Sequence, residues 1–154
     1  MASRERCWLE CASILHDIGL SKGNGVAHHK LSMLLILNSP VFPFTSQERR
    51  IVASITRYHR KDFPKRKDFN LLTLDRSTLK KISQLSSILR IADGLDYTHE
   101  SIVKSLSVGI DLTSVSIEYH SDERSILDEQ AFNKKKDLFE KVFKKKLVLT
   151  WVQE

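Results

Sequence analysis

Two adjacent polar residues, His16 and Asp17, close an otherwise apolar segment just before Gly19. Burying an imidazole beside a carboxylate is costly unless each finds a partner. Backbone hydrogen bonds at a helix end would satisfy them. A divalent metal would do so too, since neutral imidazole and carboxylate are both good ligands. Similar residues recur further along: His28-His29, Tyr58-His59-Arg60-Lys61, and Arg90, Asp93 and Asp96 at three-residue steps. Residues so spaced on a helix share one face. If the segment ends converge, His16, Asp17, His29, His59 and Asp93 are candidate metal ligands. Bundles build metal sites from side chains on facing helices. Arg57, Arg60, Lys61 and Arg90 are basic residues on or near the same segments.

Helices must bring these groups together. Trp8, Cys11, Ala12, Leu15 and Ile18 recur at helical spacing, which predicts a helix over 5–18. Gly19, Gly23 and Gly25 mark a loop. Residues 27–38 read as a buried second helix, stopped by Asn38-Ser39-Pro40. Thr45 with Glu48 forms a capping-box signature, and Ile51, Val52, Ile55 and Tyr58 carry a third helix to about residue 61. Leu79, Ile82, Leu85, Leu89 and Ala92 predict a long fourth helix over 75–97. The period then changes to two. Val103–Ile110 and Val115–Tyr119 predict a hairpin, 125–145 one more helix, and Leu147–Trp151 a closing strand. The fold class is therefore mainly α with a small α+β lobe: helices over 1–100, then ββαβ over 101–154.

These segments together resemble a known family. His16-Asp17 with a later helical Asp93 is similar to the HD superfamily of metal-dependent phosphohydrolases. Leu15–Gly19, His29–Ser32, Ile36–Ser39, Arg57–Lys61 and Leu89–Asp96 look like the C-terminal HD region of exopolyphosphatase/guanosine pentaphosphate phosphatases (Ppx/GppA). Leu138–Phe143 with Lys146–Leu149 resembles that family's small C-terminal lobe. The resemblance implies an HD-like helical bundle followed by a ββαβ subdomain. It also implies polyphosphate or a phosphorylated nucleotide as ligand, its phosphates bound by Arg57, Arg60, Lys61 and Arg90, and a Mg²⁺, Mn²⁺ or Fe²⁺ ion that would polarise a phosphoryl oxygen and activate water. Assembly would be as a homodimer or with a partner chain that carries actin-like domains. Two departures stand out. Residues 1–15 contain no His to match the earlier His of the HD pattern, and Leu31 stands where relatives often have a second His. Three readings follow: a phosphate-binding module that assists hydrolysis, a stand-alone phosphohydrolase of phosphoric anhydrides or esters, and a dimerisation lobe without catalysis.

Composition agrees with a folded, anion-binding domain. Of 154 residues, 41% are hydrophobic and 29% charged, which excludes a disordered chain. The formal charge of +6 favours an anionic partner. Basic residues gather over 49–67, where Arg49, Arg50, Arg57, Arg60, Lys61, Lys65, Arg66 and Lys67 face one acid, Asp62. A second lysine cluster over 134–146 reads as a solvated helix face or a nucleic-acid patch. No apolar run is long enough to span a bilayer, and no secretory leader is legible, so a cytoplasmic location is expected. Cys7 and Cys11 are expected as free thiols packed in a core.

Overall fold

The capping box at Thr45 shows how local chemistry sets these elements. Thr45 Oγ1 accepts the Glu48 N–H, and the Glu48 carboxylate accepts the Thr45 N–H, which starts a helix at Ser46. The computed structural model describes residues 3–22, 25, 27–60 and 62–154. Among them are six α-helices and one three-stranded sheet, in the order α1 (Ser3–Leu15), α2 (His28–Asn38), α3 (Ser46–Arg57), α4 (Arg76–Leu95), β1 (Ser105–Ile110), β2 (Ser114–Ser121), α5 (Ile126–Lys135), α6 (Asp137–Phe143) and β3 (Lys146–Gln153). The mainly α class with a small α+β lobe is thus observed. No helix of the described residues is long and apolar enough to cross a membrane. The chain divides into two compact units, Met1–Leu89 and Arg90–Glu154, so the division falls within α4.

In the first unit α3 is the central element. Every residue from Ile51 to Thr56 is buried. Its apolar face packs with Ala12, Ile36, Leu71, Leu74, Ile82, Leu85 and Leu89. Ile55, fully buried, is worth roughly 1.5–3 kcal/mol by its transfer from water alone. The polar residues of this core carry their own partners: Ser54 Oγ donates to Arg50 O and accepts from Asn70 Nδ2. Cys7 and Cys11 are free and half-buried; Cys11 packs against the core, and burial followed by the neighbouring Cys7 pushes its thiol pKa up.

Asp75 caps the start of α4. Its carboxylate accepts hydrogen bonds from Ser77 Oγ, Thr78 Oγ1 and the Thr78 N–H, which hold its pKa far below the ordinary value. A depressed carboxyl contributes stability that is present above its unfolded pKa of about 3.9 and lost as pH falls through the folded value. Asp75→Asn keeps a capping oxygen without the titration. Its urea-unfolding stability should therefore fall less steeply below about pH 4 than that of the wild type. Equal slopes would show that Asp75 contributes nothing to acid unfolding.

The second unit is the expected ββαβ arrangement with one correction. The sheet order is β1-β2-β3, with β1 antiparallel and β3 parallel to β2. The segment expected as one helix over 125–145 is two, α5 and α6, parted at Lys136. No Gly or Pro marks the break. Lys136 Nζ donates to Leu147 O, and the Leu147 N–H donates to Glu140, so the start and the middle of α6 are pinned to the start of β3. Tyr119, Phe132, Leu138 and Leu147 form the core of this unit. Asp128, almost wholly buried, accepts the Thr98 N–H and Thr98 Oγ1, tying the chain that follows α4 to α5.

Candidate functional site

Three chain segments of the first unit meet at one carboxylate. Asp17 follows the C-terminus of α1, His28 opens α2, and His59 lies just past the end of α3. The Asp17 Oδ1 atom is 3.0 Å from His28 Nε2 and 3.8 Å from His59 Nε2. His28 Nε2 and His59 Nε2 are themselves 3.4 Å apart. His16 joins from the other side, its Nε2 3.5 Å from Asp17 Oδ2 and its ring 5.1 Å from that of His59, edge to face. Of the described residues, Asp17, His28 and His59 form the group whose ligand atoms all lie within 4.8 Å of one another.

The far side of each ring decides what the near side offers. His16 Nδ1 lies 2.7 Å from Ser13 O, His28 Nδ1 3.1 Å from Gly25 O, and His59 Nδ1 2.6 Å from Thr56 O. A carbonyl only accepts, so in each ring Nδ1 carries a proton, and in the neutral ring Nε2 presents a lone pair. All three bonds reach back three residues, to a carbonyl of the segment that precedes the ring. Metal-binding histidines are held in this way, with the remote N–H on a carbonyl that fixes tautomer and ring plane. Arg60 Nη1 is 3.4 Å from His28 Nδ1, but the Gly25 carbonyl is nearer, and a guanidinium cannot bond to a nitrogen that is itself a donor.

Lone pairs turned toward a carboxylate repel unless a positive charge sits among them. Asp17 Oδ1 is buried and receives no hydrogen bond from the described residues, close as His28 is. A buried acceptor left in that state costs about 1–3 kcal/mol. The donor set therefore fits a cation: two imidazole nitrogens and one carboxylate oxygen of the right type, with fixed tautomers and an orphaned oxygen aimed between them.

A glycine lets the segments come this close. A Cβ on Gly19 would lie 2.3 Å from His28 O and 2.7 Å from Ser32 N, both backbone atoms of α2. With no side chain in the way, the Gly19 N–H donates to Ser32 Oγ, which donates to His16 O. Ser32 thereby clamps the His16-Asp17 turn onto α2.

The basic residues stand beside this group. Arg57 Nη2 is bonded to Asp62, while its buried Nη1 finds no acceptor among the described residues. Burial, then the charges of Arg57 and Arg60, push the His29 pKa down to about 4, so His29 is neutral at pH 7. Its ring stands edge-on to those of His28 and His59. His29 is thus a neighbour of the three-residue group, and His28 is the member that sequence reasoning passed over. The buried face of α2 runs through His28, Ser32 and Ile36, a four-residue step that singles out His28. Gly23 and Lys61 lie outside the described residues. Arg90 and Asp93 belong to the second unit, where Arg90 pairs with Asp137 and Asp93 with Lys135.

One known family matches most of the chain. The sequence profile of Ppx/GppA phosphatase, domain III, matches residues 1–146. The chain belongs to that family. The match covers the first compact unit with its His/Asp group and runs through β1, β2, α5 and α6 of the second, ending at the first residue of β3. A search for curated relatives found no match.

Proposed function

We propose that this Ppx/GppA domain III holds a divalent metal ion at Asp17, His28 and His59, with His16 alongside. Polyphosphate or a phosphorylated nucleotide binds against it through Arg57 and Arg60, and the domain assists phosphate hydrolysis. The observation that carries this reading is the orphaned Asp17 oxygen among imidazoles whose Nδ1 atoms are anchored on carbonyls. Nitrogen donors favour Fe²⁺ or Mn²⁺ over Mg²⁺, which prefers oxygen throughout. Bound there, the ion would supply Lewis acidity toward a phosphoryl oxygen. Arg57 and Arg60 would orient the anion, and His29 beside them, its pKa pushed down to about 4, adds no charge of its own at pH 7. Lys61, next in the chain, adds a further cation to the same proposal. Arg90 and Asp93, held by Asp137 and Lys135, are left out of it.

The test is polyphosphate binding by calorimetry at several salt concentrations, with Mn²⁺ present. Affinity should fall as salt rises, since released counterions drive the association. Arg60→Ala should weaken binding about tenfold, the worth of one charge-assisted hydrogen bond. Salt-independent affinity, or none, would end the reading.

The same carboxylate and imidazoles favour a second reading, a stand-alone HD-type phosphohydrolase. Phosphate release by the metal-loaded chain separates the two. Turnover lost in His28→Ala supports the enzyme; metal binding without turnover supports the auxiliary role.

A further inference from the structure

Phe69 is 85% exposed on a loop whose backbone is fixed turn by turn. The Asp68 N–H donates to Lys65 O, the Leu71 N–H to Asp68 O and the Leu74 N–H to Leu71 O, three turns in succession. The Asp68 carboxylate accepts the Lys65 N–H and the Tyr58 hydroxyl, and Asn70 Nδ2 donates to Ser54 Oγ in the core. Asn70, Leu71 and Leu74 are buried, so the loop is held on both sides of the ring. Kept out in water, the ring forgoes the burial for which phenylalanine is ordinarily used.

Cations flank the ring in the chain. Lys65, Arg66 and Lys67 precede it, all exposed, with Arg66 and Lys67 at the centre of the first turn. Arg76, also exposed, follows at the start of α4. None of these four is in an ion pair with a described residue. The acids of the segment are engaged elsewhere: Asp62 with Arg57, Asp68 with Tyr58 and the Lys65 N–H, Asp75 with Ser77 and Thr78.

Positive charge alone fits any polyanion, and the ring narrows the choice. A chain of bare phosphates offers it no face to stack on, and a duplex hides its bases inside the stack. A single strand presents a phosphate backbone and open bases together. Proteins bind such strands by positive charge along the backbone and aromatic side chains beneath the bases. A membrane surface is anionic with an apolar side, but elements that lie in it present an apolar stripe along a helix. Here Phe69 and Leu72 are the exposed apolar residues of 65–76, set in turns rather than in a stripe.

We propose that residues 65–76 form a surface for single-stranded nucleic acid, with a base stacked on Phe69 and phosphates held by Lys65, Arg66, Lys67 and Arg76. It uses none of the residues assigned above to metal or phosphate and stands without that reading. Fluorescence anisotropy of a labelled single-stranded oligoadenylate with the full chain tests it. The oligonucleotide should bind, more weakly as salt rises. Phe69→Ala should weaken it about tenfold, whereas Phe69→Trp should hold it. Arg66→Ala with Lys67→Ala should flatten the slope of log affinity against log salt by about 1.4, at about 0.7 per phosphate contact on a single strand. All three positions are exposed, so circular dichroism should stay that of a folded chain. Inorganic polyphosphate should bind Phe69→Ala as it binds the wild type, since it has no base to stack. A chain that binds oligoadenylate through Phe69 but no polyphosphate upholds this surface and sinks only the earlier reading. No binding of oligoadenylate, equal affinity in Phe69→Ala, an equal loss of polyphosphate in that variant, or binding to phosphatidylserine vesicles alone would overturn the proposal.

Discussion

Asp17→Asn is expected to abolish metal binding while leaving the fold in place. Asparagine keeps the shape and one oxygen but removes the charge that draws a cation among the imidazoles. Loss of an outer-shell partner already lowers metal affinity 10–100-fold, so loss of a direct ligand should cost at least about a hundredfold. The readout is thermal. Metal at about a hundred times its dissociation constant stabilises the folded chain by about 2.7 kcal/mol. For a chain of this size that raises Tm by roughly 5–11 °C. The shift should appear in the wild type with Mn²⁺ and vanish at the same concentration in Asp17→Asn, His28→Ala and His59→Ala. His29→Ala should retain it, because His29 stands beside the three-residue group without belonging to it. An undiminished shift in Asp17→Asn, or equal losses in His28→Ala and His29→Ala, would refute the assignment.

The contrast between His28 and His29 shows where sequence reading reached and where it stopped. The helices were legible because their apolar residues recur at three- and four-residue steps, and because Thr45 and Glu48 announce a start. The hairpin was legible from its period of two. That polar side chains would gather near helix ends was legible too, since His16, Asp17 and His59 interrupt apolar segments. Which of two adjacent histidines turns inward is a question of helix phase. An apolar run such as Met33-Leu34-Leu35-Ile36-Leu37 surrounds the helix and conceals its phase; Leu34 is 47% exposed and Ile36 buried.

Partners distant in the chain were harder still. The lysines over 134–146 look like a uniform solvated face. Yet Lys135 neutralises Asp93, Lys136 holds Leu147 O and Lys145 reaches Asp111 O, each a tertiary contact with no local signature. The break between α5 and α6 is hidden for the same reason, because its cause is the anchoring of α6 to β3 rather than a helix breaker. β1 misleads in the opposite sense. Its alternation suggests a buried face, and the face it presents is open.

Gly19→Ala should be the most damaging single-methyl change in the first unit, and it joins fold to site. The added Cβ would stand 2.3 Å from His28 O and 2.7 Å from Ser32 N. Both are backbone atoms at the start of α2, with no rotamer to give way. Relief requires the turn to lift from α2, which breaks the bond from the Gly19 N–H to Ser32 Oγ and draws Asp17 away from His28. Overpacking of this kind costs about 3 kcal/mol, which lowers Tm by roughly 6–12 °C. Gly25→Ala is the informative control. Gly25 has φ +80°, and among the described residues a Cβ there meets nothing nearer than Leu20 at 4.0 Å. That variant bears only the left-handed backbone penalty of about 1 kcal/mol. Gly19→Ala should also weaken Mn²⁺ binding, whereas a purely structural glycine would lower Tm and leave the affinity of the remaining folded protein unchanged. A Gly19→Ala chain that melts within about 2 °C of the wild type and binds Mn²⁺ as well would show that the close approach is not what assembles the site.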